Sequence, residues 1–289
     1  MAIKKILVPL DGSNGSIEAL RTAFVVAGRF DAHVDAIHVL PRPTDIAPFM
    51  FDRLSAKMKK TFETEASEDA KEKAIAIREE FEKCCAQQKV PIVSEPPAEP
   101  GVTATWQEES GRASEVLVRR ARLADIIAVA RPRASRSRIR RSPAGETLQA
   151  VMLGSGRPVL LVPPNWKTLP VEHAAIGWND SLEVSRALAV TLPCFQQMKT
   201  TTVVASKKRK ASATALVEYL AWHGIDANIE WMDKDMDSVE EALLKACSNV
   251  GAELLVVGGF STARARQMLF GGVTRYLLAQ SNILTVMVH

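Results

Sequence analysis

Ile6-Leu7-Val8-Pro9-Leu10-Asp11-Gly12-Ser13 decides the fold, because the chain writes it twice. It is a short apolar run that stops at a turn, and Ala174-Ala175-Ile176-Gly177-Trp178-Asn179-Asp180-Ser181 can be laid beneath it. Asn179 then falls under Asp11, Ser181 under Ser13, and Ala187-Leu188 under Ala19-Leu20. Farther along, Ala124-Asp125-Ile126-Ile127-Ala128-Val129 matches Ala252-Glu253-Leu254-Leu255-Val256-Val257. Pro158-Val159-Leu160-Leu161-Val162 matches Leu284-Thr285-Val286-Met287-Val288. Matched segments in one order mark an internal repeat.

Between these anchors, short apolar runs alternate with helical patterns. Runs apolar on both faces fit strands covered by helices on either side. Ile17, Leu20 and Phe24 recur at helical spacing, with Ser13, Asn14 and Ser16 as candidate caps. The pattern predicts a strand over residues 32–40 and a Lys- and Glu-rich amphipathic helix over roughly 48–88. The third strand is either 90–93 or 103–106. A helix over 112–122 leads into a strand over 124–129. The second half predicts strands at 174–178, 201–205, 228–232, 254–257 and 283–288, with helices at 181–192, 211–223 and 238–250. Strand–helix alternation implies parallel sheets with right-handed crossovers. The expected fold class is therefore α/β, with two tandem Rossmann-like domains, each an open five-stranded parallel sheet flanked by helices. The domains are residues 1–164 and 171–289, joined by the proline-bounded linker 165–170.

The 289 residues suit two such domains. A hydrophobic content of 47% with 24% charged residues excludes disorder as the main state, and a net charge of +4 is too weak to argue for nucleic acid. Cys84, Cys85, Cys194 and Cys247 match no zinc spacing and read as reduced thiols. The run 6–10 meets Asp11 too soon for a signal-peptide core or a membrane span, so a cytoplasmic location is expected.

The opening ILVPLDGS and the ending ELLVVGGFSTARARQMLFGGVTRYLLAQSNILTVMV resemble the universal stress protein (UspA) superfamily in tandem form. That resemblance covers nearly the whole chain and implies a stress-response role. In the family some members bind ATP and others do not. The binding members carry a glycine, two residues, a second glycine, nine residues, then glycine with serine or threonine. Glycines let backbone approach phosphates, and the last pair opens a helix whose free N–H groups favour an anion.

In the second half this match begins at Gly258, but Ser261 replaces the second glycine, and Gly271-Gly272-Val273 lacks the hydroxyl residue. Thr274 lies one residue too far on. In the first half Ala130 and Arg133 replace the glycines, the spacing to Gly145 is too long, and Glu146 puts a carboxylate at the phosphate seat. Asp11, at the position the resemblance places near adenine and ribose, is kept, and Val39 lines the same degenerate first-domain site. The second-half counterpart of Asp11 is Asn179. Gly258, Ser261, Gly271, Gly272, Val273 and Asn179 are thus the candidate set for ATP or ADP.

Each of these residues has a plainer reading. The glycines serve a tight turn and a close helix–strand contact, and Asp11 caps a helix. Arg131, Arg133, Arg136, Arg138, Arg140 and Arg141 form a basic stretch without interleaved aromatics, read as a solvated, mobile loop. No metal site is legible, and His33, His38, His173, His223 and His289 have no ligand spacing. Trp178, Trp222 and Trp231 read as core. Three functions stay open: a non-catalytic stress protein with adenine nucleotide in its second domain, a ligand-free interaction and dimerisation scaffold, and an enzyme. The enzyme reading has no Ser-Gly-Gly-x-Asp-Ser, no His-Ile-Gly-His and no nucleophile–base set behind it. Expected partners are the nucleotide, the two domains as an intramolecular pseudo-dimer, and a further homodimer, with neither membrane nor nucleic acid. In that pseudo-dimer the uncharged runs 159–162 and 285–288 should pair, since open apolar edges invite aggregation.

Overall fold

The computed structural model describes residues 3–42, 55–132, 143–166, 171–259 and 272–289. By contacts it divides into two compact units, Ile3–Ala128 and one that includes Val129–His289.

The first unit runs β1 (Lys5–Pro9), α1 (Asn14–Phe30), β2 (His33–Leu40), α2 (Ala56–Gln88), β3 (Thr103–Ser110), α3 (Ala113–Ala121) and β4 (Ile126–Ala130), the last straddling the division. The strand order is β3-β2-β1-β4. All pairs are parallel, with Ile6 opposite both Val34 and Ile126. The third strand is thus 103–110. Ile92 makes only an isolated bridge to Ala104, because Pro91 and the proline-rich stretch after it cannot sustain a ladder. Ser55 caps α2 by accepting from the Met58 N–H at 3.3 Å, and Lys89 ends it in the left-handed region at φ 55°. The helical pattern before Ser55 falls at 48–54, outside the described residues.

The second unit contains α4 (Pro143–Gly154), β5 (Val159–Val162), β6 (His173–Trp178), α5 (Leu182–Phe195), β7 (Thr200–Ala205), α6 (Lys210–Trp222), β8 (Ala227–Trp231), α7 (Val239–Asn249), β9 (Leu254–Gly258), α8 (Gly272–Gln280) and β10 (Leu284–Val288). Its order is β5-β10-β9-β6-β7-β8. Among the described residues its strand pairs are parallel except β5 with β10, which is antiparallel, Leu160 facing Val286 and Leu161 facing Thr285. The expected pairing of the two uncharged runs is formed, and every residue of both strands is buried. By contacts, residues 129–132 and 143–162 go with the residues that follow them and not with Ile3–Ala128.

The repeat holds at atomic level. Asp125 Oδ2 accepts from the N–H groups of Lys4 and Lys5 at 2.8 and 2.9 Å, and its equivalent Glu253 Oε2 accepts from those of Glu172 and His173 at 2.7 and 3.1 Å. Among the described residues Phe81 and Phe195 are the largest fully buried side chains. Trp222 corrects the core reading of the tryptophans: it ends α6 and is 89% exposed, while Trp178 and Trp231 are half-buried. An apolar residue in the last turn of a helix has no partner surface when its helical face has rotated past the sheet.

Candidate functional site

Among the described candidates, Asp11, Ala130, Asn179, Gly258 and Gly272 stand where strands end or helices begin, the position at which α/β sheets bind ligands. In the first unit β1 runs out at Pro9, and Asp11 Oδ1 accepts from the Ser13 N–H at 2.9 Å. Gly12 takes φ +85°, which suits glycine, and Ser13 Oγ caps α1 by accepting from Ser16 N–H at 3.2 Å. The second unit repeats the device. Asn179 Oδ1 accepts from Ser181 N–H at 3.2 Å, Asp180 takes φ 62°, and Ser181 Oγ accepts from Val184 N–H at 3.3 Å. Asp11 and Asn179 therefore each hold a helix-entry turn. Partial burial raises the Asp11 carboxyl, but hydrogen bonds from Ser13 and Ser16 and the charge of Lys73 together hold it below its ordinary value.

Side chains of α2 close over this turn. A Cβ on Gly12 would lie 3.1 Å from Ile77 Cγ1 and 3.5 Å from Lys73 Cε. Beneath it, buried His38 places Nδ1 2.7 Å from the Leu10 carbonyl, and its ring stacks on Trp106 at 6.4 Å, which in turn meets Phe81 at 5.5 Å. Val39, next to His38, is half-buried in β2, and Ala130 ends β4. Gly145 is buried in the first turn of α4, where Glu146 is exposed. Arg133 lies outside the described residues, as do 134–142 of the arginine-rich stretch. Arg131, its first residue, is held: Nη1 donates to the Leu278 carbonyl at 2.9 Å, and burial lowers the guanidinium's pKa.

In the second unit Gly258 is required by packing. A Cβ there would lie 2.6 Å from the backbone N of Val184 and 2.8 Å from Glu183 Cβ, in the first turn of α5. Gly272 opens α8 and is exposed, with Val273 half-buried and Thr274 buried behind it. A Cβ on Gly272 would lie 2.7 Å from Glu240 Oε1, a carboxylate from the first turn of α7. The helix start that could receive a phosphate thus faces an acid. Ser261 and Gly271 lie outside the described residues.

Glu240 and Arg131's anchoring were not legible in the sequence. Ser238 and Glu241 signal a capping box, and Ser238 Oγ accepts from Glu241 N–H at 3.2 Å, but nothing local says where Glu240 reaches. Burial pushes the thiols of Cys85 and Cys247 up to about 12, so neither is a ready nucleophile. Among the described residues no group of three or more His, Cys, Asp or Glu could hold a metal ion. No helix among them is long and apolar enough to cross a membrane.

Parallel-dominated sheets, helices on their faces and glycines at strand ends define a Rossmann-like α/β protein with tandem repeats. The sequence model of the universal stress protein family matches residues 2–163. The chain belongs to that family. It is 47% identical over 47 residues to a universal stress protein of Methanocaldococcus jannaschii, a match spanning 16% of this chain and 25% of that one. A crystal structure of a universal stress protein from Archaeoglobus fulgidus superposes with TM-score 0.70 at 14% identity, covering 98% of this chain and 95% of that one. A functionally unknown Pseudomonas aeruginosa protein superposes with TM-score 0.56 at 13% identity, covering 99% and 92%. Both likenesses are of fold.

Proposed function

We propose that this chain is a non-catalytic cytoplasmic stress protein of two repeats, residues 1–164 and 171–289 with 165–170 between them, acting as an interaction and dimerisation scaffold with a degenerate nucleotide seat. The observation behind this reading is Glu240 against Gly272. A carboxylate at a helix start uses the same N–H groups and positive dipole end that a phosphate would need, and repels the phosphate directly. The first repeat supports the same reading, since α2 closes over Gly12 and Glu146 stands in the first turn of α4.

ATP or ADP in the second repeat is the second reading, and one observation favours it. Gly272 is exposed and Glu240 only half-buried, so the carboxylate can leave by side-chain rotation. Calorimetric titration of ATP and ADP into the wild type and Glu240→Gln separates the two. The scaffold reading expects no saturable binding by the wild type. Removing one repulsive charge in a partly solvated site is worth on the order of 1–3 kcal/mol, about ten- to a hundredfold in affinity. Glu240→Gln should gain that much, and Glu146→Ser should change nothing. Saturable wild-type binding lost in Gly272→Asp, with that variant folded, overturns the scaffold reading and supports the nucleotide site.

A further inference from the structure

The outer face of α6 breaks the pattern of a solvated helix. Ala211, Ala215, Glu218 and Trp222 are all exposed, and their spacing of four, three and four residues sets them in one line along the helix. Trp222 is 89% exposed, and Tyr219 flanks the line at 42%, its ring centroid 4.7 Å from that of His223. The side of a surface helix turned away from its sheet is ordinarily charged. Here Glu218 is the single charge on the exposed positions from Ala211 to Trp222.

The charges at the two ends are inverted as well. Lys207, Lys208, Arg209 and Lys210 fill a short 3₁₀ turn and the first position of α6, where the helix dipole is itself positive, and the first turn holds no acid. The last turn, at the negative end, holds no basic residue, and Asp226 follows it. Arg209 reaches Asp180 at 3.5 Å. Lys207, Lys208 and Lys210 are exposed and enter no ion pair among the described residues, not even with Asp233, Asp235 or Asp237 of the loop after β8. Glu218 and Asp226 enter none either. Within one chain this order of charges is unfavourable. It becomes favourable when the positive end of one α6 lies against the negative end of another.

A spacing of four, three and four reads the same in both directions, so two copies of α6 packed antiparallel present one pattern to each other. Trp222 of each copy then covers the small Ala211 of the other, Ala215 lies against Glu218, and Lys207 stands opposite Asp226. Large side chains on small ones and cations on acids suit a two-fold contact, in which every pair occurs twice. We infer that the outer face of α6 is a homodimer interface, its two-fold axis passing between residues 216 and 217. The inference rests on the scaffold reading above and names its surface. Glu218 in the line and Asp226 at its end disfavour an anionic lipid surface, which would meet cations along the whole face. One helix pair buries less than the roughly 1,200 Å² of standard interfaces, so the dimer is weak and reversible.

Sedimentation velocity on the full chain, from micromolar to millimolar concentration, tests it. The expected result is a monomer–dimer equilibrium that weakens as salt is raised. Trp222→Ser should raise the dissociation constant about tenfold or more, and so should Ala215→Glu, which sets a carboxylate against Glu218 of the other copy. Both positions are exposed, so the thermal midpoint should stay where it is. Leu123→Ser removes an apolar side chain 78% exposed elsewhere and should leave association unchanged. Lys207→Glu and Asp226→Lys should each weaken the dimer, and the two together should restore it. A chain that stays monomeric throughout, or a double variant no better than the single ones, overturns the assignment. Association that survives both Trp222→Ser and Ala215→Glu runs through another surface and overturns it too. So does binding to phosphatidylserine vesicles that Trp222→Ser abolishes while the chain stays monomeric in solution, which would give the face to a membrane. Saturable ATP binding counts against the scaffold reading by calorimetry, whereas this face is judged by sedimentation, so the two failures are told apart.

Discussion

Gly258 shows how one residue can look like ligand chemistry and serve packing. The position of its missing Cβ is taken by backbone of α5, atoms that cannot swing aside. Gly258→Ala should therefore cost about 1–3 kcal/mol in urea denaturation, as overpacked cores do. Its repeat counterpart is already alanine, Ala130, so Ala130→Gly should cost no more than the ordinary entropic penalty of about 0.5–1 kcal/mol. Equal, small effects at both positions would show that α5 yields. His33 makes a second prediction at this scale. Burial lowers its pKa, Asp35 opposes that, and Lys5 adds to it, with a net value below the ordinary one. The unfolded chain then binds the proton more tightly. Its contribution is full above the unfolded pKa of about 6.5 and is lost as pH falls through the lower folded value. Denaturation midpoints between pH 8 and 5 should fall more steeply for the wild type than for His33→Gln. Parallel profiles would mean that folding does not shift the His33 pKa.

At the scale of elements, the sequence displayed what is written locally and missed what depends on reach. The strands were legible because short apolar runs end at Asp11-Gly12-Ser13 and Asn179-Asp180-Ser181, and those turns form with the same hydrogen bonds in both repeats. The choice between 90–93 and 103–106 could not be made locally, since both runs are β-rich; register with β2 over its whole length decides it for Thr103–Ser110. The candidate site was half legible for the same reason. Glycine spacing is local, whereas Glu240 reaches Gly272 from another helix. Trp222 failed because an apolar side chain was taken as a buried one without asking which face of α6 it occupies. The β5–β10 pair offers a direct measurement. Leu160 and Val286 face each other, so the cycle Leu160→Ala, Val286→Ala and both together should show a coupling of about 0.2–1 kcal/mol. Strict additivity would mean that the two strands do not pair in solution.

At the scale of the whole molecule, the question is what keeps an apolar strand edge from joining other molecules. β10 is buried along its entire length, with β9 parallel on one side and β5 antiparallel on the other. By the sequence repeat, β5 belongs to the first half; by contacts, it packs with the second. A fragment of residues 171–289, made with Trp222→Ser to silence α6, would keep β9 and lose β5, leaving one edge of Leu284–Val288 open. Open, uncharged edges of this kind recruit further strands. The fragment should therefore self-associate, with a sedimentation coefficient that rises with concentration. Adding residues 1–164 in trans should suppress that rise, because it restores β5. The arrangement also lets the loss be made without cutting the Trp222→Ser chain. Leu161→Asp would put a carboxylate at a position 1% exposed, opposite Thr285, and should cost several kcal/mol unless β5 leaves the sheet. Sedimentation then distinguishes unfolding from release: a released β5 gives a folded chain that associates like the fragment. A fragment that stays monomeric at every concentration, with near-native circular dichroism, would show that β10 does not need β5 to remain soluble.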